Sequence, residues 1–113
     1  MIGRIWRGWT TQDQAAAYQR LLCSEVIPAI EARAVAGLLQ IDILRRDAGA
    51  EVEFTTILLF DSIEAVHRFA GEDVTAAHVP PAARAILARF DDAAAHHDVI
   101  DRRCQPEHAR GRC

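Results

Sequence analysis

The chain of 113 residues carries five histidines and thirteen basic residues, every one of them arginine, with no lysine and no asparagine. These counts already sort the available chemistry. Without lysine there is no Schiff-base nucleophile and no phosphate-loop lysine. Without asparagine a common donor to an oxyanion or a substrate carbonyl is missing. Imidazole titrates near neutrality, which makes His97, in the run Ala95-His96-His97-Asp98, the candidate general base. Arg4 is a permanent cation that can stabilise an anion, and Trp6, two residues on, offers a ring face for stacking. Asp42 is a candidate for orienting a donor. Each has a plainer reading: Trp6 as core or interface packing, Arg4 as a partner of Glu53 on a neighbouring strand, His97 as a satisfied interface histidine. A metal centre finds little support. Successive strand residues point to opposite faces, so His96 and His97 cannot chelate one ion together, and His96 with Asp98 supplies only two ligands. Cys23, Cys104 and Cys113 are odd in number and lack metal-type spacing, which suggests neither a zinc site nor a disulfide framework.

The elements that must position these residues follow from periodicity. Residues 2–9 alternate as a strand, with Ile2, Arg4, Trp6 and Gly8 on one face and Gly3, Ile5, Arg7 and Trp9 on the other. Thr11 and Gln14 form a capping-box pair that opens a helix to about Ala34, its buried stripe made by Tyr18, Leu21, Leu22, Val26, Ala29 and Ile30. Pro28 cannot donate to the Ser24 carbonyl, a loss of about 3 kcal/mol in a regular helix, and predicts a bend or break over residues 24–28. Residues 38–46 read as a second strand, with Leu39, Ile41 and Ile43 toward the helices and Leu38, Gln40, Asp42 and Leu44 facing away. The turn Asp47-Ala48-Gly49-Ala50 leads into a third strand over residues 52–60, a hairpin. Phe54, Thr56, Leu58 and Phe60 face the helices there, and Thr55, Ile57 and Leu59 face away. Asp61 and Glu64 cap a helix over residues 62–70 with Ile63, Val66 and Ala70 on one stripe and Gly71 at its end. Pro81 opens a short helix carrying Ile86, Leu87 and Phe90, and residues 94–100 form a fourth strand.

Strand, helix, strand, strand, helix, strand is the ferredoxin-like, split βαβ order, an α+β fold with an antiparallel sheet. Its helices cover one sheet face. The other face, neither cleanly polar nor cleanly apolar, is expected to serve as an interface, and a second copy of the same sheet is the simplest cover.

Half of the residues are apolar and 26% are charged, as in an ordinary globular domain. Residues 1–101 read as that domain and residues 102–113 as a basic, flexible tail. The tail holds four arginines and one glutamate, +3, which leaves −6 of the net −3 for residues 1–101. An acidic body argues against nucleic acid as a partner. No apolar run is long enough for a membrane span and no signal-like segment opens the chain, so no membrane partner and a cytoplasmic location are expected.

Four segments, MIGRIWRGWT, EVEFTTILLFDSIEAVHRFAGED, VPPAARAILARFD and AHHDVI, together resemble the antibiotic biosynthesis monooxygenase-like family of the dimeric α+β barrel superfamily. The similarity runs over about residues 1–101 in order and spacing. It implies a homodimer in which two ferredoxin-like sheets pack into a barrel, with a pocket between sheet and helices. The activity it implies is cofactor-free oxygenation: an electron-rich phenol or quinol is bound, deprotonated and then reduces oxygen directly. In that chemistry His97 and Arg4 are the catalytic pair, as base and anion stabiliser, and Trp6, Asp42, Thr55, Phe69 and His78 contact the substrate. The family's oxygenases combine asparagine, tryptophan, tyrosine and arginine; this chain has no asparagine and a single tyrosine, Tyr18. Two other readings share the fold. Haem would be held by His78, which follows the second helix where haem-degrading relatives carry their iron ligand, although their partner asparagine and helix tryptophan are absent and Phe69 is the nearest aromatic. A dimeric or stress-related protein could also hold a ligand without converting it.

Overall fold

The computed structural model describes residues 1–106. Its elements are β1 (Ile2–Thr11), α1 (Ala15–Leu21), α2 (Ile27–Ala32), β2 (Leu38–Ala48), β3 (Glu51–Phe60), α3 (Ile63–Ala70), α4 (Pro81–Ile86), β4 (Arg89–Phe90) and β5 (Ala95–Asp98). The sheet runs β2-β3-β1-β4, with β5 also on β1, and every pairing is antiparallel. This is the expected ferredoxin-like topology. The closed barrel is not: β2 forms one edge, β4 and β5 share the other, and the sheet stays open. The expected fourth strand over residues 94–100 is reduced to β5, against residues 2–5, and a further short strand, β4, forms before it against Gly8 and Trp9. Asp91 separates them by turning onto Arg7, whose backbone N–H and Nε both donate to its carboxylate, at 3.1 and 3.0 Å. Phe90, expected at the end of α4, therefore belongs to the sheet.

Local chemistry accounts for the other departures. Thr11 does not cap the first helix; its hydroxyl donates to Asp13 at 2.5 Å and a 3₁₀ turn, Gln12–Gln14, precedes α1. Pro28 is absorbed by a π-turn, Leu22–Val26, closed by the Ile27 N–H donating to the Leu22 carbonyl. The wider turn adds one residue to the helix phase, so Ala29 faces solvent while Ile27 and Ile30 turn inward. In β2 the register skips from Leu38 to Gln40, a bulge at Leu39. Leu38 consequently packs beside Phe60 on the helix side, and Leu39 is 55% exposed, the reverse of the expected alternation at that end. Ser62, not Asp61, caps α3, its Oγ accepting from the Ala65 N–H at 3.3 Å. Ala65, Val66 and Ala70 are buried there, while Ile63 is exposed. The approach to α3 is close: Gly37, at φ 90°, accepts from the Asp61 N–H at 2.9 Å, and a Cβ on it would lie 2.5 Å from that of Ala65.

The helix-facing residues form two apolar clusters rather than one. Tyr18, Leu22, Val52, Phe54 and Leu87 make the first, under α1 and α4; Leu58, Phe60, Ala65 and Val66 make the second, under α3. On the opposite face Trp9 is 7% exposed without any second copy, because the guanidinium groups of Arg89 and Arg7 lie 3.9 and 5.2 Å from its ring centroids. The chain itself thus covers the largest aromatic side chain on the face expected to serve as an interface.

Cys104 is disulfide-bonded and Cys23 is free and exposed. Most of the basic tail, residues 107–113, lies outside the described residues. Among the described residues no helix is long and apolar enough to cross a membrane.

Candidate functional site

Between the two clusters the sheet and helices leave a cleft with about 680 Å³ of empty space, its mouth included. Arg4 and Trp6 from β1 and Thr56 and Leu58 from β3 form its floor. Tyr18, Leu22 and the π-turn with Ile27 and Ile30 form its roof, and Phe69, His78 and Val79 close one side. No aspartate or glutamate lines it.

Arg4 is the unusual member. It is 6% exposed, and burial lowers its pKa from the ordinary guanidinium value, though a guanidinium stays cationic at neutral pH. It has no carboxylate partner among the described residues, and the expected pairing with Glu53 is absent; Glu53 instead meets Arg46 at 3.6 Å. Nη1 donates to the Val74 carbonyl, Nη2 to the Ala76 carbonyl at 3.1 Å, and Nη1 lies 3.0 Å from His96 Nε2. An arginine can only donate, so His96 Nε2 must accept and the ring is neutral with its proton on Nδ1. Burial lowers the His96 pKa, and the charges of Arg4 and His97 add to that effect. Three of the five guanidinium N–H groups are thus engaged, and two remain. The loop that supplies the two carbonyls is itself pinned by Asp73, which accepts from the Thr75 hydroxyl at 2.8 Å and its N–H at 3.2 Å. Those bonds hold the Asp73 carboxyl below the usual range.

Trp6 is fixed by its indole N–H, which donates to the Asp91 carbonyl at 2.8 Å. Gly8 makes room for it: a Cβ there would stand 3.2 Å from the Trp6 ring and 3.0 Å from Leu87. Phe69 lies 5.3 Å, centroid to guanidinium carbon, from Arg4. His78, at the exposed mouth, has Nε2 3.4 Å from the Ala70 carbonyl, a contact in which Nε2 must donate.

The structure therefore brings together Arg4, Trp6, Phe69 and His78 of the expected site. It places His97, Asp42 and Thr55 on the other sheet face, where they pair with Gly3, Ile57 and Arg7 or Leu44. The histidine that meets Arg4 is His96, its cross-strand partner. Alternation shows that His96 and His97 diverge, but which one shares a face with Arg4 depends on the register of β5, and no residue in the sequence fixes that. Tyr18 belongs to the buried stripe of the first helix and also lines the cleft, which only the packing of α1 over the floor reveals.

No known family's sequence profile matches the chain, and no curated protein matches it. Solved structures do. A Bacillus cereus protein described as a "putative antibiotic biosynthesis monooxygenase" superposes with a TM-score of 0.65 at 10% identity, covering 92% of this chain and 97% of that one. Rv0793 from Mycobacterium tuberculosis superposes with a TM-score of 0.55 at 20% identity, covering 89% and 96%. The likeness is one of fold. It spans nearly the full length of both structures, and it agrees with the resemblance carried by the sequence segments. At such identities it transfers no residue roles.

Proposed function

We propose that the chain is a cofactor-independent monooxygenase-like protein of the antibiotic biosynthesis type, and that it binds a small phenolic molecule in the cleft between sheet and helices. The observation that carries this reading is the buried Arg4 cation, set without a carboxylate among apolar and aromatic walls. A phenolate is the ligand form that such a site favours over water, because an anion in a poorly hydrated cleft gains most from a fixed guanidinium. His78, which lines the mouth of the cleft, is the group we assign to take the phenol proton, and Trp6 and Phe69 hold the ring. His97, on the far face, takes no part. The haem reading fits poorly: His78 Nε2 is turned to the Ala70 carbonyl, and Phe69 stands where the resemblance asks for a tryptophan.

Oxygen uptake with aerated hydroquinones and anthrone-type phenols tests the catalytic half. A general base contributes about 10²–10⁴-fold, so His78→Gln should lower uptake by at least about 10²-fold. Uptake by His78→Gln equal to that of the wild type removes the base, and no uptake across the panel reduces the reading to ligand binding. A homodimer belongs to the same proposal, since Ile5, Ile57 and the half-exposed Leu44 share the uncovered face; a monomer by light scattering at micromolar concentration would remove it.

A further inference from the structure

Resting on the reading that the cleft binds an aromatic anion, we infer that Tyr18 is a second polar contact for that ligand, so that the ligand carries an oxygen other than the one held by Arg4. Tyr18 is 1% exposed, and its ring packs edge-on against Phe54 with centroids 5.0 Å apart. Its hydroxyl makes no hydrogen bond to any described residue. Among those residues Thr10 Oγ1 is the one fully enclosed side-chain oxygen or nitrogen without a partner. The Tyr18 oxygen is therefore not sealed; what surface the residue keeps includes this atom, and the residue lines the cleft. A buried phenol that pairs with nothing in the protein is an unmet hydrogen-bond demand that a ligand atom can satisfy. Burial raises its pKa to about 12, so it meets a ligand as a neutral hydroxyl. Arg4 rises from β1 and Tyr18 hangs from α1, which puts the two polar groups on opposite walls. A flat molecule that touches both must have an anionic oxygen at one end and a further hydroxyl, carbonyl or ether oxygen elsewhere on its frame. A phenol with a single oxygen would leave Tyr18 unpaired. The ligand class is thus a bifunctional aromatic oxygen compound, such as a dihydroxy-aromatic or a hydroxy-aromatic carboxylate.

The test is a ligand-by-protein cycle with 2-naphthoate and the set of hydroxy-2-naphthoate positional isomers, titrated into the full chain and into Tyr18→Phe by Trp6 fluorescence and calorimetry. Phenylalanine keeps the ring against Phe54. The quantity read is the affinity ratio of each hydroxylated probe to 2-naphthoate, which cancels any general loss in the variant. At least one isomer should show a ratio on the order of 5-fold higher in the wild type than in Tyr18→Phe, the size of one net hydrogen bond. Equal ratios in both proteins for every isomer would overturn the inference while leaving the aromatic-binding reading intact. If neither 2-naphthoate nor any isomer binds the wild type, that reading falls and the inference with it.

Discussion

Replacing Arg4 with methionine separates a functional cation from a structural strut. The side chain makes three hydrogen bonds, to Val74, Ala76 and His96, and none to a carboxylate. Losing them costs about 1 kcal/mol each, since Val74 and Ala76 lie in a half-exposed loop where water can reach their carbonyls again. Against that loss of about 3 kcal/mol stands the desolvation of a cation that is 6% exposed, an effective penalty of several kcal/mol for a buried ion. Methionine fills much of the same volume and removes the penalty. The two effects are of similar size and opposite sign, so Arg4→Met should change unfolding free energy by no more than about 1 kcal/mol in urea. Affinity for 2-naphthoate should fall by roughly 30-fold or more, because removing one partner of a desolvated charge contact costs about 2–5 kcal/mol. If the variant loses more than about 3 kcal/mol of stability while naphthoate binding is unchanged, Arg4 is a strut for residues 74–76 and the functional assignment is wrong.

Two other perturbations probe the surroundings of the cleft. Thr10 is fully buried with an unpartnered Oγ1, so the near-isosteric Thr10→Val should stabilise the fold by about 1 kcal/mol, roughly 4 °C in Tm; a loss of stability would mean the hydroxyl has a partner after all. His96 has a folded pKa below its unfolded value of 6.5, so the unfolded chain binds the proton more tightly and the neutral ring's contribution is complete above pH 6.5 and lost as pH falls through the lower folded pKa. His96→Gln keeps an acceptor for Arg4 without titrating, so urea midpoints of the two proteins should converge between pH 7.5 and 5.0; parallel decline would show that His96 does not carry the effect.

What the sequence made legible was everything governed by short-range periodicity. The strands, the hairpin, the α3 stop at Gly71 and the disturbance near Pro28 all follow from residues within one or two turns of each other. The faces of β1 and β3 were also readable, and so Arg4 and Trp6 were correctly paired on one side. Three other features depend on register. The bulge at Leu39 inverts one end of β2, the π-turn leaves Ala29 out and brings Ile27 in, and the register of β5 decides that His96 rather than His97 crosses Arg4. A one-residue slip exchanges the two faces of a strand, so alternation alone could not choose between adjacent histidines. Nor could it foresee that Arg7 and Arg89 would cover Trp9, which removes part of the reason for a second copy on that face.

The break between the two apolar clusters has the same origin as the cleft. Arg4 pairs with Leu58 across the central strands, at the point where the first cluster gives way to the second. An aliphatic residue there would join the clusters and stabilise the domain, whereas the guanidinium keeps them apart and must be desolvated. The ion pairs among the described residues show that acidic partners are used elsewhere: Arg7 with Asp91, Arg46 with Glu53, Arg89 with Glu51 and Arg103 with Asp101, all at the surface. At the one arginine where burial makes a counter-charge most valuable, carbonyl oxygens and a neutral imidazole stand instead. A strut would be better served by a carboxylate, which would quench the charge. A site that must attract an anion is better served by its absence, because the positive charge of a residue lining the cleft is then left without a counter-charge.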